Sequence, residues 1–242
     1  MYSIHTLNLT KKYSDLTAVD NLNLQIKHGE IFALLGVNGA GKSTVINMLS
    51  CLSKPTFGDA LICGYSINTD GLKVKSIIGV SPQETAVAPN LTARENLQLI
   101  CGAYGFSTQK TNEKIGELTT LLGLESVIKK RAGKLSGGWQ RKLSIAMALV
   151  GEPKVLFLDE PTLGLDILAR TNLWSVIRSL KGKATIILTT HYLEEAESLS
   201  DRIGILKDGK LLKVGTAEQL TLLSGEPTFE KAFVKLAQGV SL

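Results

Sequence analysis

The chain has 242 residues with a formal net charge of +5, and 44% of them are hydrophobic. This size suits one large domain, or a core with a subdomain, that buries a sizeable interior. The composition is that of an ordinary globular protein. The charge could suit nucleic acid, an anionic membrane surface or phosphate ligands, although such an excess is most often a plain solvated surface.

Three cysteines, Cys51, Cys63 and Cys101, are odd in number and lack metal-ligand spacing. They predict reduced thiols and a cytoplasmic setting. The start of the chain lacks a secretory signal pattern, and no apolar run reaches the roughly eighteen residues of a membrane span. We therefore expect any membrane association to come through a partner.

The chain begins with period-two alternation over residues 3–27, which predicts half-buried antiparallel strands. The pattern places Leu7 and Leu9 together on the buried face. Tyr13 lies between two of these strands, beside a turn. An aromatic residue there can stack on an adenine ring, although a partly buried packing residue is the commoner role.

A glycine-rich loop follows, between an apolar run at 31–35 and a helical pattern at 45–52. Its residues are Gly36, Val37, Asn38, Gly39, Ala40, Gly41, Lys42, Ser43 and Thr44. Glycines allow the backbone to turn so that consecutive N–H groups point at phosphate oxygens, at the positive end of the next helix. Lys42 is predicted to neutralise the β- and γ-phosphates and Ser43 to ligate Mg²⁺.

The helix after this loop is predicted to bury Val45, Met48, Leu49 and Leu52 and to stop before Pro55. The next predicted elements are a strand near 59–63, a helical turn near 72–76 and a strand at 77–80 that leads to Gln83.

Beyond Gln83 the pattern changes from strands to helices. Thr92 and Glu95 form a capping-box sequence that begins one helix, and Ser107 begins another. We predict a single domain over 1–242. Its parts are a catalytic core at 1–83 and 150–215, a helical subdomain at 84–149 and a short C-terminal helical tail at 216–242.

A second glycine-flanked helix start lies at Ser136, Gly137 and Gly138. Such a helix N-terminus suits an anion. Considered alone, an ordinary serine-capped helix after a glycine turn is the favoured interpretation.

A continuous apolar run at 155–158 predicts a central strand buried on both faces, and Asp159 and Glu160 follow it directly. Carboxylates at the end of such a strand are costly unless they bind something. Asp159 is placed to join a Mg²⁺ shell, and Glu160 to polarise an attacking water.

Further along the chain, Asp166 can cap a helix, and another buried strand at 184–188 leads to His191. A lone histidine at a strand end most often satisfies local hydrogen bonds, but ligands also collect at this edge of open α/β sheets. Asp208-Gly209 is a two-residue hairpin signal. Thr216 and Thr228 are predicted to begin two closing helices.

The whole ordered set of motifs resembles the nucleotide-binding subunit of ATP-binding-cassette (ABC) transporters. The glycine-rich loop matches Walker A, residues 155–160 match Walker B, and residues 135–138 match the family's signature sequence. The resemblance implies an α/β fold in which a P-loop NTPase (RecA-like) core carries N-terminal antiparallel strands and an inserted helical subdomain.

The resemblance also implies ATP and Mg²⁺ as cofactors and assigns roles to single residues. Tyr13 matches the adenine-stacking aromatic, Gln83 the glutamine that contacts Mg²⁺ and water, and His191 the histidine that senses the γ-phosphate. Asp166 closes the D-loop at 163–166. The implied catalytic residues are Lys42, Gln83, Glu160 and His191. The implied metal ligands are Ser43, Gln83 and Asp159. The implied nucleotide contacts are Tyr13, residues 36–44, Ser136, Gly137, Gly138 and Asp166.

Two departures from the family pattern are visible. Trp139 stands where the signature usually has glutamine, and the D-loop lacks the frequent proline after its aspartate. The serine and glycines that would face phosphate are intact. We therefore expect Trp139 to change the hydrogen bonding at the start of the helix rather than the activity.

The resemblance implies two kinds of partner. One is a second such subunit, paired head to tail and expected to form a homodimer, and the other is the transmembrane permease subunits. The membrane would be reached only through these permeases, on its cytoplasmic face, and no nucleic acid is expected. The motifs are most similar to the drug, polyketide and ion exporter branch. Two alternatives remain: a soluble ABC ATPase that acts on nucleic acid or ribosomes, and the ATPase of an importer.

Overall fold

Two β-sheets organise the fold, which we describe from a computed structural model for residues 1–238. The end of the predicted C-terminal tail, residues 239–242, lies outside the described residues. The strands are β1 Tyr2–Tyr13, β2 Leu16–Leu22, β3 Gln25–Lys27, β4 Ile31–Leu35, β5 Phe57–Ile62, β6 Tyr65–Ser66, β7 Ile78–Ser81, β8 Val155–Asp159, β9 Thr185–Thr190, β10 Arg202–Lys207 and β11 Lys210–Gly215.

The helices are α1 Lys42–Leu49, α2 Gly71–Ile77, α3 Ala93–Ala103, α4 Thr108–Leu122, α5 Gly137–Leu149, α6 Ile167–Ser179, α7 Leu193–Leu199, α8 Ala217–Ser224 and α9 Phe229–Gln238. A short 3₁₀ turn, Ala132–Lys134, precedes α5. None of the helices described within residues 1–238 combines the length and the apolar character needed to cross a membrane.

The larger sheet has six strands in the order β11-β10-β4-β9-β8-β7. All its pairings are parallel except that of the edge strand β11 with β10. Every residue of β4, β8 and β9 is buried, because helices cover one face of this sheet, and α1 together with the N-terminal strands covers the other. The carboxyl ends of these three strands therefore meet at one edge, which is where open α/β sheets bind ligands. The predicted P-loop NTPase fold is confirmed.

The N-terminal strands form the second sheet, in the order β2-β1-β5-β6 with β3 also paired to β1. All of these pairings are antiparallel, as the sequence predicts. The prediction that Leu7 shares the buried face with Leu9 is wrong, since Leu7 is 41% exposed. Asn8 has a φ of 51°, and the β1–β5 register shifts between Leu7 and Thr10. This bulge reverses the alternation of the strand.

Helix α1 is shorter than the sequence suggests. It ends at Leu49, so Leu52 is 66% exposed and the prediction that it is buried is wrong. Cys51 adopts a left-handed φ of 57°, which turns the chain away before Pro55.

The predicted helix starts of the next segment are confirmed. The Thr92 side chain accepts from the Glu95 N–H, and Glu95 accepts in return from the Thr92 N–H. The Ser107 side chain caps α4 by accepting from the Lys110 N–H at 3.3 Å. These helices share one hydrophobic core with the parallel sheet, in which Leu97 and Leu143 cluster with Leu188. The division into core, helical subdomain and tail thus stays a proposal.

Near the chain end, the predicted hairpin is present between β10 and β11. Asp208 and Gly209 both have positive φ, 47° and 76°, as a type I′ turn requires. Thr216 caps α8 through a capping box, and α9 begins directly after Thr228.

Gly79 lies where α5 crosses β7, and a Cβ there would be 2.3 Å from the carbonyl oxygen of Ala148. We expect Gly79→Ala to lower the free energy of unfolding by about 1–3 kcal/mol through overpacking. The matched control is Gly116→Ala in the interior of α4, where a Cβ would meet nothing within 4 Å. It should raise the stability by about 0.5–1 kcal/mol. Urea unfolding measures both, and equal effects would contradict the packing described.

Candidate functional site

The glycine-rich loop connects the buried strand β4 to helix α1, as the sequence predicts. Gly39 and Gly41 have φ values of 81° and 102°, in the region that favours glycine. A Cβ at Gly41 would also lie 2.3 Å from the carbonyl oxygen of Ala18. The loop is thus held against the second strand of the N-terminal sheet, and its conformation depends on glycine.

Lys42 occupies the centre of the loop and is only 5% exposed. Its ammonium group donates to the carbonyl oxygens of Gly36 at 2.9 Å and Val37 at 3.2 Å. It also lies 3.3 Å from Oε1 of Glu160. The loop therefore wraps around its own lysine, and a buried positive charge faces the end of β8.

Asp159 ends β8, and its carboxylate joins three parts of the site. Oδ1 accepts a hydrogen bond from the Ser43 hydroxyl at 3.2 Å and another from the hydroxyl of Thr189 on β9. Sequence reasoning missed Thr189. The available signal was the pair of threonines directly before His191, at the end of a strand beside β8.

Glu160 follows Asp159 in a left-handed conformation, with a φ of 47° that is uncommon outside glycine. Its N–H donates to the backbone carbonyl and the hydroxyl of Thr189, at 3.1 and 3.0 Å. Its Oε2 lies 2.9 Å from Nδ1 of His191, although the pair lacks hydrogen-bond geometry. Lys42 and His191 thus bracket the Glu160 carboxylate.

Gln83 lies just beyond β7 and is held through its backbone. The guanidinium of Arg141 on α5 donates to the carbonyl oxygens of Pro82 at 2.6 Å and Gln83 at 2.5 Å. Burial lowers the pKa of Arg141, although the charges of Asp159 and Glu160 act in the opposite direction. Sequence reasoning missed Arg141, since an arginine in a helix gives no signal of its target.

A cavity of about 680 Å³ opens above these groups. Its lining residues are Tyr13, Leu16, Thr17, Ala18, Asn38, Gly39, Gly41, Lys42, Ser43, Thr44, Gln83, Glu160, Leu163, His191, Asp208 and Gly209. The sequence did not point to residues 16–18 or to the hairpin turn 208–209. The turn reaches the loop because the Gly209 N–H donates to the Ala40 carbonyl at 3.0 Å.

Tyr13 stands at one side of the cavity and is 46% exposed. The ammonium of Lys11 lies 4.9 Å from the centre of its ring. The half-exposed ring is thus available at the cavity for a base to stack on. The Lys11 ammonium itself donates to the Lys54 carbonyl oxygen at 2.7 Å.

Three of the predicted nucleotide contacts in the loop, Gly36, Val37 and Ala40, do not line the cavity. The other predicted contacts lie elsewhere on the chain. Ser136, Gly137, Gly138 and Asp166 do not line the cavity. Ser136 precedes α5 and forms no side-chain cap, whereas Asp166 caps α6 by accepting from the Ala169 N–H at 2.8 Å. A Cβ at Gly138 would lie 3.4 Å from the Cβ of Ala169, so the two helix starts are neighbours.

The donor set at the cavity fits a magnesium nucleotide. Within residues 1–238 there is no cluster of three or more His, Cys, Asp or Glu side chains that would hold a metal alone. Mg²⁺ commonly takes one or two carboxylates together with substrate phosphates and waters. The carboxylate of Asp159 and the hydroxyl of Ser43, 3.2 Å apart beside the Lys42 ammonium, match that pattern.

Comparison with known proteins points to ATP-binding proteins of ABC transporters. The family model described as "ABC transporter" matches residues 19–163. The chain is 40% identical over 239 residues to the Escherichia coli protein named "Probable multidrug ABC transporter ATP-binding protein YbhF". The match covers 96% of this chain and 41% of that protein, so the chain spans about two fifths of its length.

Other relatives match over most of their length. The Nod factor export ATP-binding protein I of Burkholderia orbicola is 40% identical, over 88% of this chain and 70% of that protein. The solved structure of the ATP-binding subunit of an ABC transporter superposes with a TM-score of 0.86 at 30% identity, over 96% of this chain and 98% of that one. A dimeric bacterial ABC transporter cassette gives a TM-score of 0.81 at 31% identity, over 88% and 98%.

The family match covers more than half of the chain, and the fold and the order of the motifs agree with it. The chain therefore belongs to the ABC transporter family, as an ATP-binding cassette.

Proposed function

We propose that this chain binds ATP with Mg²⁺ and hydrolyses it to power an ABC exporter. The observation that carries the proposal is the convergence of Lys42, Ser43, Asp159, Glu160 and His191 at the carboxyl edge of β4, β8 and β9. A related cassette solved in a post-hydrolysis state with ADP and Pi supports the reaction, at 31% identity and a TM-score of 0.80.

Each group of the site has a role in phosphoryl transfer. The loop N–H groups and Lys42 would bind the phosphates, and Ser43, Asp159 and Gln83 would hold the metal. Bound Mg²⁺ would supply neutralisation of the charge that develops on the transferred phosphoryl group. Glu160 would orient or deprotonate the attacking water, and His191 would contact the γ-phosphate and keep Glu160 in place.

The predicted nucleotide contacts that lie outside the cavity support an ATP site shared between two subunits. Ser136 and Gly137 are exposed at the start of α5, where N–H groups are free to meet an anion. Ile167 and Leu168 lie nearby and are 71% and 77% exposed. We infer that these residues approach the Walker A loop of a second copy in a head-to-tail homodimer. The related dimeric cassette supports this arrangement.

The membrane partners are also part of the proposal. Relatives named for export include the linearmycin resistance ATP-binding protein LnrL of Bacillus subtilis, 38% identical over 91% of this chain and 71% of that protein. Separate transmembrane permeases would hold the chain at the cytoplasmic face of the membrane. The helical segment 84–149, with Gln83 at its hinge, would pass the motion of dimer closure to them.

Glu160→Gln should keep ATP binding but slow hydrolysis by about 10²–10⁴-fold, since the amide cannot act as a base. Phosphate release measures turnover, and equilibrium binding of a fluorescent ATP analogue measures affinity. The control is Glu113→Gln on the exposed face of α4, which should leave both unchanged. Near-normal hydrolysis by the Glu160 variant would remove this residue from its proposed role.

Mixing two inactive variants tests the shared site. A Ser136→Arg chain keeps its own Walker motifs, and a Glu160→Gln chain keeps its signature. Random pairing makes about half of the dimers mixed, each with one intact site, so hydrolysis should rise toward about a quarter of the wild-type rate. Mixing Glu160→Gln with Lys42→Ala is the control, since no dimer then has an intact site. A Ser136→Arg mixture as inactive as this control would contradict the shared site.

Tyr13→Ala should raise the KM for ATP by about 5- to 150-fold with little change in kcat, since base stacking contributes about 1–3 kcal/mol. Tyr13→Phe keeps the ring and should behave as the wild type. Steady-state kinetics over a range of ATP concentrations distinguish the two variants. An unchanged KM in the alanine variant would show that Tyr13 serves only to pack.

A further inference from the structure

A buried carboxyl group lies behind the proposed catalytic groups and does not line the cavity. Glu195 on α7 is 0% exposed. Its Oε1 accepts a hydrogen bond from the Thr162 hydroxyl at 2.8 Å and another from the indole N–H of Trp174 at 3.2 Å. One oxygen atom thus joins α7 to α6 and to the loop that follows β8.

The position of these partners along the chain gives the contact its importance. Thr162 lies two residues after Glu160, and Glu195 lies four residues after His191, on the helix that begins just beyond it. The 2.8 Å contact between Thr162 and Glu195 therefore connects the same two segments as the 2.9 Å contact between Glu160 and His191. Fixing one pair restrains the other.

Stability does not explain a carboxyl group at this position. Among residues 1–238, Oε2 of Glu195 has no partner in hydrogen-bond geometry. The nearby Thr190 hydroxyl accepts from the Tyr192 N–H and keeps its own proton to donate toward Glu195. No salt bridge reaches Glu195 within the described chain: Arg170 of α6 lies 3.7 Å from Glu194, and Arg141 of α5 binds backbone carbonyls. A half-satisfied buried carboxyl group is generally less stable than an apolar replacement of similar size.

The role of Glu195 as a hydrogen-bond acceptor does not depend on the charge of its carboxyl group. Burial raises the pKa of Glu195 above its ordinary value, against the lowering effects of the Thr190, Thr162 and Trp174 donors and the charge of Arg170. The oxygen that matters, Oε1, accepts both hydrogen bonds whether or not Oε2 carries a proton.

We propose that Glu195 is a positioning residue for ATP hydrolysis: through Thr162 it holds the segment that carries Glu160 against the helix that follows His191. This inference rests on the roles proposed above for Glu160 and His191. Loss of the acceptor would let the two segments separate, and a misplacement of about 1 Å at a reacting group can cost about a hundredfold in rate. The nucleotide-binding loop is not part of the connection.

The experiment compares two substitutions at one position in the full chain. Glu195→Gln keeps an acceptor oxygen of the same reach and should retain kcat within about threefold. Glu195→Leu fills the space without an acceptor and should lower kcat by about tenfold to a hundredfold, with the KM for ATP changed less than about twofold. A leucine variant with the kcat of the glutamine variant would overturn the proposal.

A second variant keeps the test decisive if Glu195→Leu folds poorly. Thr162→Val removes only the donor and should reproduce the loss in kcat, and adding it to Glu195→Leu should cost nothing further. Thr119→Val is the matched control, because Thr119 also has a buried hydroxyl, with no partner among the described residues, but lies on α4. It should leave kcat unchanged. A normal kcat in Thr162→Val would overturn the proposal.

These variants distinguish the catalytic role of Glu160 from the positioning role of Glu195. If Glu160→Gln hydrolyses ATP normally, the catalytic role of Glu160 is wrong whatever happens at Glu195. If Glu160→Gln is inactive while Glu195→Leu and Thr162→Val keep the wild-type kcat, only the positioning role of Glu195 is wrong.

Discussion

The buried ammonium of Lys42 is the constraint on which the rest of the site depends. A charge that is 5% exposed needs partners, and it has the carbonyl oxygens of its own loop and the carboxylate of Glu160. That contact requires the end of β8 to lie beside the start of α1. Parallel pairing of β4, β9 and β8 meets this requirement, because all three strands present their carboxyl ends at the same edge.

Around this centre, hydrogen bonds and close side-chain contacts form a continuous network. Asp159 binds Ser43 from the loop and Thr189 from β9, and Glu160 lies between Lys42 and His191. In the proposed function, ATP would draw Lys42 toward its phosphates and leave Glu160 facing the attacking water. The groups that move least would be those fixed from behind, by Thr189 and by the Thr162–Glu195 contact.

In the proposed function, the same geometry explains why a second copy would be needed. The signature residues Ser136 and Gly137 do not line the cavity and are exposed on another part of the same chain. Arg141 connects that signature helix to the segment of Gln83 through two short hydrogen bonds, one to the carbonyl oxygen of Pro82 and one to that of Gln83. The helix that would contact a partner's nucleotide is thus also the helix that fixes Gln83 beside the chain's own cavity.

The sequence by itself determined the fold class, the order of the motifs and most helix starts, because these depend on local patterns: the buried run of β8, the capping box at Thr92 and the glycines of the loop. Only the tertiary structure decided which groups meet. The bulge at Asn8 exposed Leu7, the end of α1 exposed Leu52, and the contacts of Thr189, Arg141 and Glu195 join residues distant along the chain. Such contacts depend on strand order and helix crossing, which no local pattern encodes.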